Sequence, residues 1–314
     1  MEPAKIGPYE IIEKIGEGGM GVVYRALDRQ AERTVAIKTL KDSVDSSSET
    51  FIRFKKEAEL LETFNHPNIL RFIEFRELDN RLYIVTEYLE GMNMREVIKS
   101  ADISVDQKVE LMLQIARALD YVHSQGVIHR DLKPSNIIVT ENMTTAKILD
   151  FGVANLMNIQ KMFTVEKHGL VGSFAYMSPE QSGILKRNVD TRSDLYSVGI
   201  LFYQLITGQL PYQAKDVGEL IHQHIAKIPD NPEEIVTGLS PIISKIILKL
   251  IKKDPDDRYQ SSFGFAEDLQ IYLDLGEEQK QTFYLELGKK DRLKNLNYRT
   301  QLIGRKKESK RLLD

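Results

Sequence analysis

The chain has no cysteine among its 314 residues. That removes disulfides, thiolate nucleophiles and cysteine metal sites together. A reducing cytoplasm is the natural reading of such a composition, although an exported protein could share it. No apolar run reaches the roughly eighteen residues of a membrane span. The nearest, "PIISKIILKLI" (241–251), is short and broken by Lys245 and Lys249, so a buried amphipathic helix is expected there. The start, "MEPAKIGPYEII", has no signal-peptide architecture, and Glu2 excludes an N-terminal myristoyl site. Internal repeats and long low-complexity segments are missing. So is the zinc motif H-E-x-x-H, and His222 and His224 stand two apart on an expected helix, facing different ways.

What is present is a composition 42% hydrophobic and 28% charged. It suits one large globular domain or two small ones, with ample core. Net charge is −3, unevenly spread: Lys289–Asp314 carries ten Lys/Arg against three Asp/Glu, +7, which leaves −10 for the rest. A basic tail can touch nucleic acid or anionic lipid. The plainer reading is a solvated linker or exposed helix face, and no nucleic-acid partner is expected.

The first ninety residues read mostly as strands: "YEIIEKI", "GVVYRAL", "TVAIKTL" and "RLYIVTEYL" mix alternation with short Val/Ile runs. One helix interrupts them. "SSSE" (46–49) resembles a capping box, and Phe51, Phe54, Ala58 and Leu61 follow at helical spacing. After Gly91 helices take over. Val109, Met112, Ala116, Leu119 and Val122 form one stripe within 105–126, with Gly126 as its stop. Residues 194–208 are apolar nearly all round, as in a helix buried inside a domain. Further helices are expected near 216–227, 240–252 and 262–274. A small strand-rich lobe thus precedes a larger helical one, with a hinge near 86–92.

Four motifs carry the chemistry. "GEGGMG" (16–21) fits G-x-G-x-x-G, but it continues as a strand through Val23 instead of opening a helix, which disfavours a dinucleotide fingerprint. Glycines in such a hairpin let backbone close on phosphate oxygens without Cβ interference. "VAIK" (35–38) then places Lys38 in an apolar strand. A buried ammonium needs an anionic partner, and the first helix offers Glu57, Glu59 and Glu62. Periodicity disfavours Glu59 and leaves Glu57 and Glu62 open. "HRDLKPSN" (129–136) gathers Asp131, Lys133 and Asn136. The aspartate can take a proton, the lysine can meet a phosphoryl group, and the amide oxygen can coordinate a divalent cation. "DFG" (150–152), after the strand "AKIL", adds Asp150, a hard oxygen ligand suited to Mg²⁺.

In this order and spacing the chain resembles the protein kinases over roughly residues 9–275. The resemblance implies an α+β, two-lobed fold. A small antiparallel β-sheet N-lobe with one main helix spans 9–88, and a larger, mostly helical C-lobe spans 92–275. It also implies Mg-ATP as cofactor and roles for single residues. Ile15, Gly16, Glu17, Gly18, Gly19, Gly21 and Val23 cover the nucleotide. Ala36, Ile138 and the gatekeeper Thr86 adjoin its base, and Glu87, Tyr88 and Leu89 meet adenine through their backbone. Lys38 binds the α- and β-phosphates and pairs with Glu57, the glutamate in the family's register before "HPNI". Asp131 orients the substrate hydroxyl and accepts its proton, Lys133 meets the moving phosphoryl group, and Asn136 and Asp150 hold Mg²⁺. His129 packs on Phe151, while Arg130 awaits an activation-loop phosphate.

"DLKPSN" and "GSFAYMSPE" (172–180) resemble the serine/threonine class, with protein substrates and possible autophosphorylation. Two departures stand out. Ser173 replaces the usual threonine but keeps the hydroxyl that bridges Asp131 and Lys133, and Ser178 stands where alanine is most familiar. Glu180 is expected to pair with Arg258, and Asp194 to anchor the catalytic-loop backbone. Thr164 is the expected phosphorylation site and Arg130 its partner. Residues 276–314 form a basic tail in which "LIGRKKESKRLL" resembles the opening of the AAA-type ATPase region of large bacterial hybrid signalling proteins. Two rival readings are a silent ATP-binding module that regulates attached signalling domains and, less well supported, a small-molecule kinase of similar fold. Silent kinases usually lose one of the residues at positions 38, 131 and 150. This chain keeps all three.

Overall fold

The structure, a computed structural model, describes residues 5–17, 21–40, 48–78, 81–100, 102–140, 142–151 and 174–291. Strands β1 (Lys5–Ile6), β2 (Tyr9–Glu17), β3 (Gly21–Asp28), β4 (Arg33–Leu40), β5 (Phe72–Leu78) and β6 (Arg81–Glu87) form one antiparallel sheet in the order β1-β2-β3-β4-β6-β5. Its alternation is visible in β4, where Val35 and Ile37 are fully buried while Ala36 and Lys38, on the other face, are half-buried. Gly21 is a steric requirement of the β3–β4 pairing. A Cβ there would lie 1.9 Å from the carbonyl oxygen of Thr39.

Helix α1 (Glu49–Glu62) packs its stripe of Phe54, Ala58 and Leu61 into the core. Its N-cap is Ser48, whose hydroxyl accepts from the Phe51 amide at 3.2 Å. The helix therefore starts two residues later than a cap at Ser46 would place it, and Ser46 lies outside the described residues. The loop after α1 ties the lobes together. The Ile148 amide donates to the Asn68 carbonyl (2.9 Å), and the Leu70 amide donates to the Ile148 carbonyl (2.8 Å).

Below the hinge, β7 (Gly91–Asn93), β8 (Ile137–Thr140) and β9 (Ala146–Ile148) form a small antiparallel sheet. Around it stand α2 (Met94–Ser100), α3 (Val105–Ser124), α4 (Thr191–Thr207), α5 (Val217–Ala226), the single turn α6 (Pro232–Ile235), α7 (Pro241–Leu250), α8 (Ser262–Asp274) and α9 (Glu277–Thr282). A reciprocal box between Ser104 and Gln107 starts α3, and Gly126 follows it at φ +75°, a conformation glycine adopts without strain. Helix α4 is buried almost all round, as its composition requires.

The chain does not leave the C-lobe at Leu275. Lys280 is buried and pairs with Asp106 (2.5 Å) and Glu277 (2.8 Å), and the Gly288 amide donates to Asp268 (2.7 Å). The basic stretch from 292 to 314 lies outside the described residues, as do Gly18, Gly19, Thr164 and Ser173.

Candidate active site

The sheet, α1 and β9 bring three charges together between the lobes. Lys38 Nζ lies 2.6 Å from Glu57 Oε1 and 3.4 Å from Asp150 Oδ1. Of the glutamates offered by α1, geometry selects Glu57, which is buried, while Glu59 and Glu62 are exposed. Burial alone would lower the Lys38 ammonium, but the carboxylates of Asp150 and Glu57 outweigh it and hold it above its ordinary range. Burial pushes the Glu57 carboxyl up, against the pull of Lys38 and with the repulsion of Asp150. Two carboxylates thus share one ammonium, an arrangement that favours a further cation at Asp150, whose side chain is half exposed.

Above and beside this cluster opens a cleft of about 200 Å³. Its walls are Ile15, Val23, Ala36, Lys38 and Glu57 from the N-lobe, Thr86, Glu87, Tyr88 and Leu89 from the hinge, and Ile138 and Asp150 from below. The lining is mostly apolar, with Lys38, Glu57 and Asp150 gathered together, which suits a flat heterocycle joined to an anionic group. Gly16, Glu17 and Gly21 do not line it; Glu17 instead pairs with Lys14 at 2.5 Å. A Cβ on Gly16 would meet nothing nearer than 3.8 Å, so packing does not demand glycine there. Leu61, Leu70, Ile84 and Leu149 also line the cleft and were not singled out from sequence. Leu61 lay on the stripe of α1 and Leu149 next to Asp150, but an apolar residue in a core pattern carries no mark of a ligand.

The catalytic-loop residues gather beside Asp150. Asp131 Oδ2 accepts from Lys133 Nζ at 2.7 Å and from Asn136 Nδ2 at 3.2 Å. Asn136 Nδ2 also donates to the Asp131 carbonyl (2.9 Å), and Asn136 Oδ1 accepts from the Ser135 hydroxyl at 3.4 Å, with a second lone pair for another partner. Pro134–Asn136 forms a 3-10 turn, and the Leu149 amide donates to the Asn136 carbonyl at 2.9 Å, joining this loop to the strand that delivers Asp150.

Arg130 adopts φ +66°, uncommon for a residue with a side chain. Its backbone is pinned on both sides. The Arg130 amide donates to Asp194 (2.7 Å), and its carbonyl accepts from Gln181 Nε2 (2.9 Å). Asp194, fully buried on α4, also accepts from the His129 amide (2.8 Å) and from His123 Nε2 (2.8 Å). Burial would raise its carboxyl, but these bonds outweigh burial and keep it below the ordinary carboxylate range. The His129 ring lies 4.9 Å from that of Phe151, whose other neighbour, Phe64, is 4.7 Å away. Burial lowers the His129 imidazole, against the pull of the Asp194, Asp131 and Asp150 carboxylates. Glu180 and Arg258 form a two-toothed pair at 2.7 and 2.9 Å, also fully buried.

Known proteins resemble this chain in sequence across these residues. Residues 9–268 match the family described as "Protein kinase domain". The chain is 36% identical over 279 residues to a probable serine/threonine-protein kinase of Streptomyces coelicolor, covering 87% of this chain and 41% of the relative. It is 34% identical to a probable serine/threonine-protein kinase PknB of Bifidobacterium longum (86% and 40%) and 31% identical to serine/threonine-protein kinase PknB of Mycobacterium tuberculosis (83% and 42%). The chain spans about two fifths of the length of these curated relatives. Since the match takes in both lobes and the cleft between them, the chain belongs to the protein kinase family.

Proposed function

We propose that this chain transfers the γ-phosphoryl group of ATP to serine and threonine hydroxyls of proteins, itself included, as part of bacterial signalling. The observation that carries the reading is the meeting of Lys38 with both Glu57 and Asp150 beside the Asp131–Lys133–Asn136 cluster. Lys38, fixed by Glu57, holds the α- and β-phosphates, and the apolar cleft holds the base. Asp131 accepts the proton of the acceptor hydroxyl as its oxygen attacks, and Lys133 balances charge on the moving phosphoryl group. Asn136 Oδ1 and the Asp150 carboxylate are hard oxygen donors. Among the described residues there is no cluster of three or more acidic or histidine side chains to cage an ion. That donor set fits Mg²⁺, which takes much of its shell from phosphates and water. When bound, the ion neutralises phosphate charge.

The rival reading, a silent nucleotide-binding regulator, has no comparable support, because the chain keeps Lys38, Asp131 and Asp150. Phosphate on Thr164 pairing with Arg130 belongs to the same proposal and is read by mass spectrometry after incubation with Mg-ATP. So does the link from the basic tail to an AAA-type ATPase region, for which the sequence resemblance of 302–313 is the support. No described helix is long and apolar enough to cross a membrane, and a cytoplasmic site of action is part of the proposal. The test is incubation with γ-labelled ATP, Mg²⁺ and a generic acceptor protein. Label on serine and threonine, and background label with Asp131→Asn, are expected. Label on tyrosine alone, or none, rejects the reading.

A further inference from the structure

Residues 276–291 form a strap along the base of the C-lobe, and its last described residue reaches the start of α8. Asp291 accepts from the Gln260 amide at 2.5 Å and from the Ser261 hydroxyl at 2.6 Å. Ser261 is the N-cap of α8, accepting in turn from the Gly264 amide at 3.1 Å. The next residue, Ser262, is buried, and its hydroxyl lies 3.0 Å from His123 Nδ1. The other ring nitrogen of His123 faces Asp194, and Asp194 receives the backbone amides of His129 and Arg130 directly before Asp131.

We propose that Asp291 and Ser262 are positioning residues for Asp131, acting from the strap through α8, His123 and Asp194. The proposal rests on the reading of Asp131 as the proton acceptor. The physical chain is short. Nε2 of His123 must carry its proton to donate to the Asp194 carboxylate, so in the neutral ring Nδ1 is an acceptor and the Ser262 hydroxyl supplies its proton. That bond fixes the tautomer and the rotation of the ring. Asp194 Oδ2 is shared between the imidazole and the His129 amide, so a ring that turns away alters the acceptor on which the left-handed backbone at Arg130 depends. Ser262 keeps its place because the first turn of α8 is capped by Ser261, and Asp291 holds that cap. Space is tight: a Cβ on Gly264 would lie 2.6 Å from the Asp291 carboxyl carbon, so adding one methyl must displace the carboxylate.

Two variants of the full chain test the link from different ends. Ser262→Ala removes the hydroxyl, and Gly264→Ala displaces Asp291 without touching its charge. Both are expected to speed hydrogen exchange at the His129 and Arg130 amides by about tenfold. Both are expected to lower kcat by about fivefold with KM for ATP changed less than about twofold, as misplacement of a catalytic group does. A strap that serves stability alone lowers the melting temperature and leaves those amides and kcat unchanged, and that result overturns the proposal. If Gly264→Ala does not fold, Asp291→Ala, which removes the acceptor of the Gln260 amide and the Ser261 hydroxyl, decides for the strap by the same exchange measurement. If the unaltered chain transfers no phosphoryl group, the assigned reaction falls, while amide exchange still judges the link.

Discussion

Lys38–Glu57 in the N-lobe and Arg258–Glu180 in the C-lobe are both cation–glutamate pairs, at 2.6 and 2.7 Å. Their surroundings differ. Arg258 is fully buried and donates to Glu180, to the carbonyls of Lys252 and Lys253 and to that of Arg192, so every side of the guanidinium is used. Glu180 is held below its ordinary range; burial pushes it up, but Arg258 and Ser193 outweigh that. Lys38, by contrast, answers two carboxylates and stands at the edge of a cleft. The first pair is saturated and serves the fold. The second sets two carboxylates against one ammonium beside an open cleft, which is where the proposed function puts the nucleotide.

The comparison predicts opposite phenotypes. Lys38→Met should lower phosphoryl transfer by about a hundredfold or more, as loss of a preorganised charge does, while thermal stability stays close to that of the unaltered chain. Enzyme assays beside calorimetry check this, and a large loss of stability would break the contrast. Glu180→Ala should do the reverse at the level of the fold. It leaves the Arg258 guanidinium buried without its carboxylate, at a cost of about 3–5 kcal/mol, read from urea unfolding.

A third effect depends on pH. Burial, with Lys253 nearby, lowers His224 to about 3, and its Nδ1 lies 2.9 Å from the Tyr196 hydroxyl. Because the folded state resists protonation, the unfolded chain binds more protons between about pH 6.5 and 3. The stability that His224 contributes is complete above that window and is lost as pH falls through it, at up to about 1.4 kcal/mol per pH unit. His224→Gln should flatten this part of the stability–pH curve. The smallest effect is local. Ser48→Ala removes the cap of α1, the helix that carries Glu57, and should destabilise by about 1 kcal/mol. An equal loss from Ser46→Ala would instead support the earlier start.

Much of this was legible because the motif residues are chemically unusual where they stand. A lysine inside "VAIK" and an aspartate at the end of "AKIL" interrupt apolar runs, and such interruptions draw attention to charge that must be answered. Periodicity could remove Glu59 but could not separate Glu57 from Glu62; resemblance chose Glu57, and only the packing angle of α1 on the sheet shows why it meets Lys38. The strand β5 was not singled out, since "FIEFREL" is half-buried along most of its length and shows no clean alternation. Helix α2, at seven residues, is too short for a stripe. From composition the strap beyond Leu275 reads as part of a basic tail, because its attachments are hydrogen bonds, one buried lysine and only two packed leucines, Leu285 and Leu287, too few to make a stripe.

The most direct measurement separates binding from transfer. ATP affinity and the single-turnover rate of γ-phosphoryl transfer to a serine-containing acceptor are compared for the unaltered chain and Asp131→Asn. The account predicts affinities within about twofold and a transfer rate lower by at least about a hundredfold, the scale of a lost proton acceptor. Equal transfer rates at saturating nucleotide would contradict it.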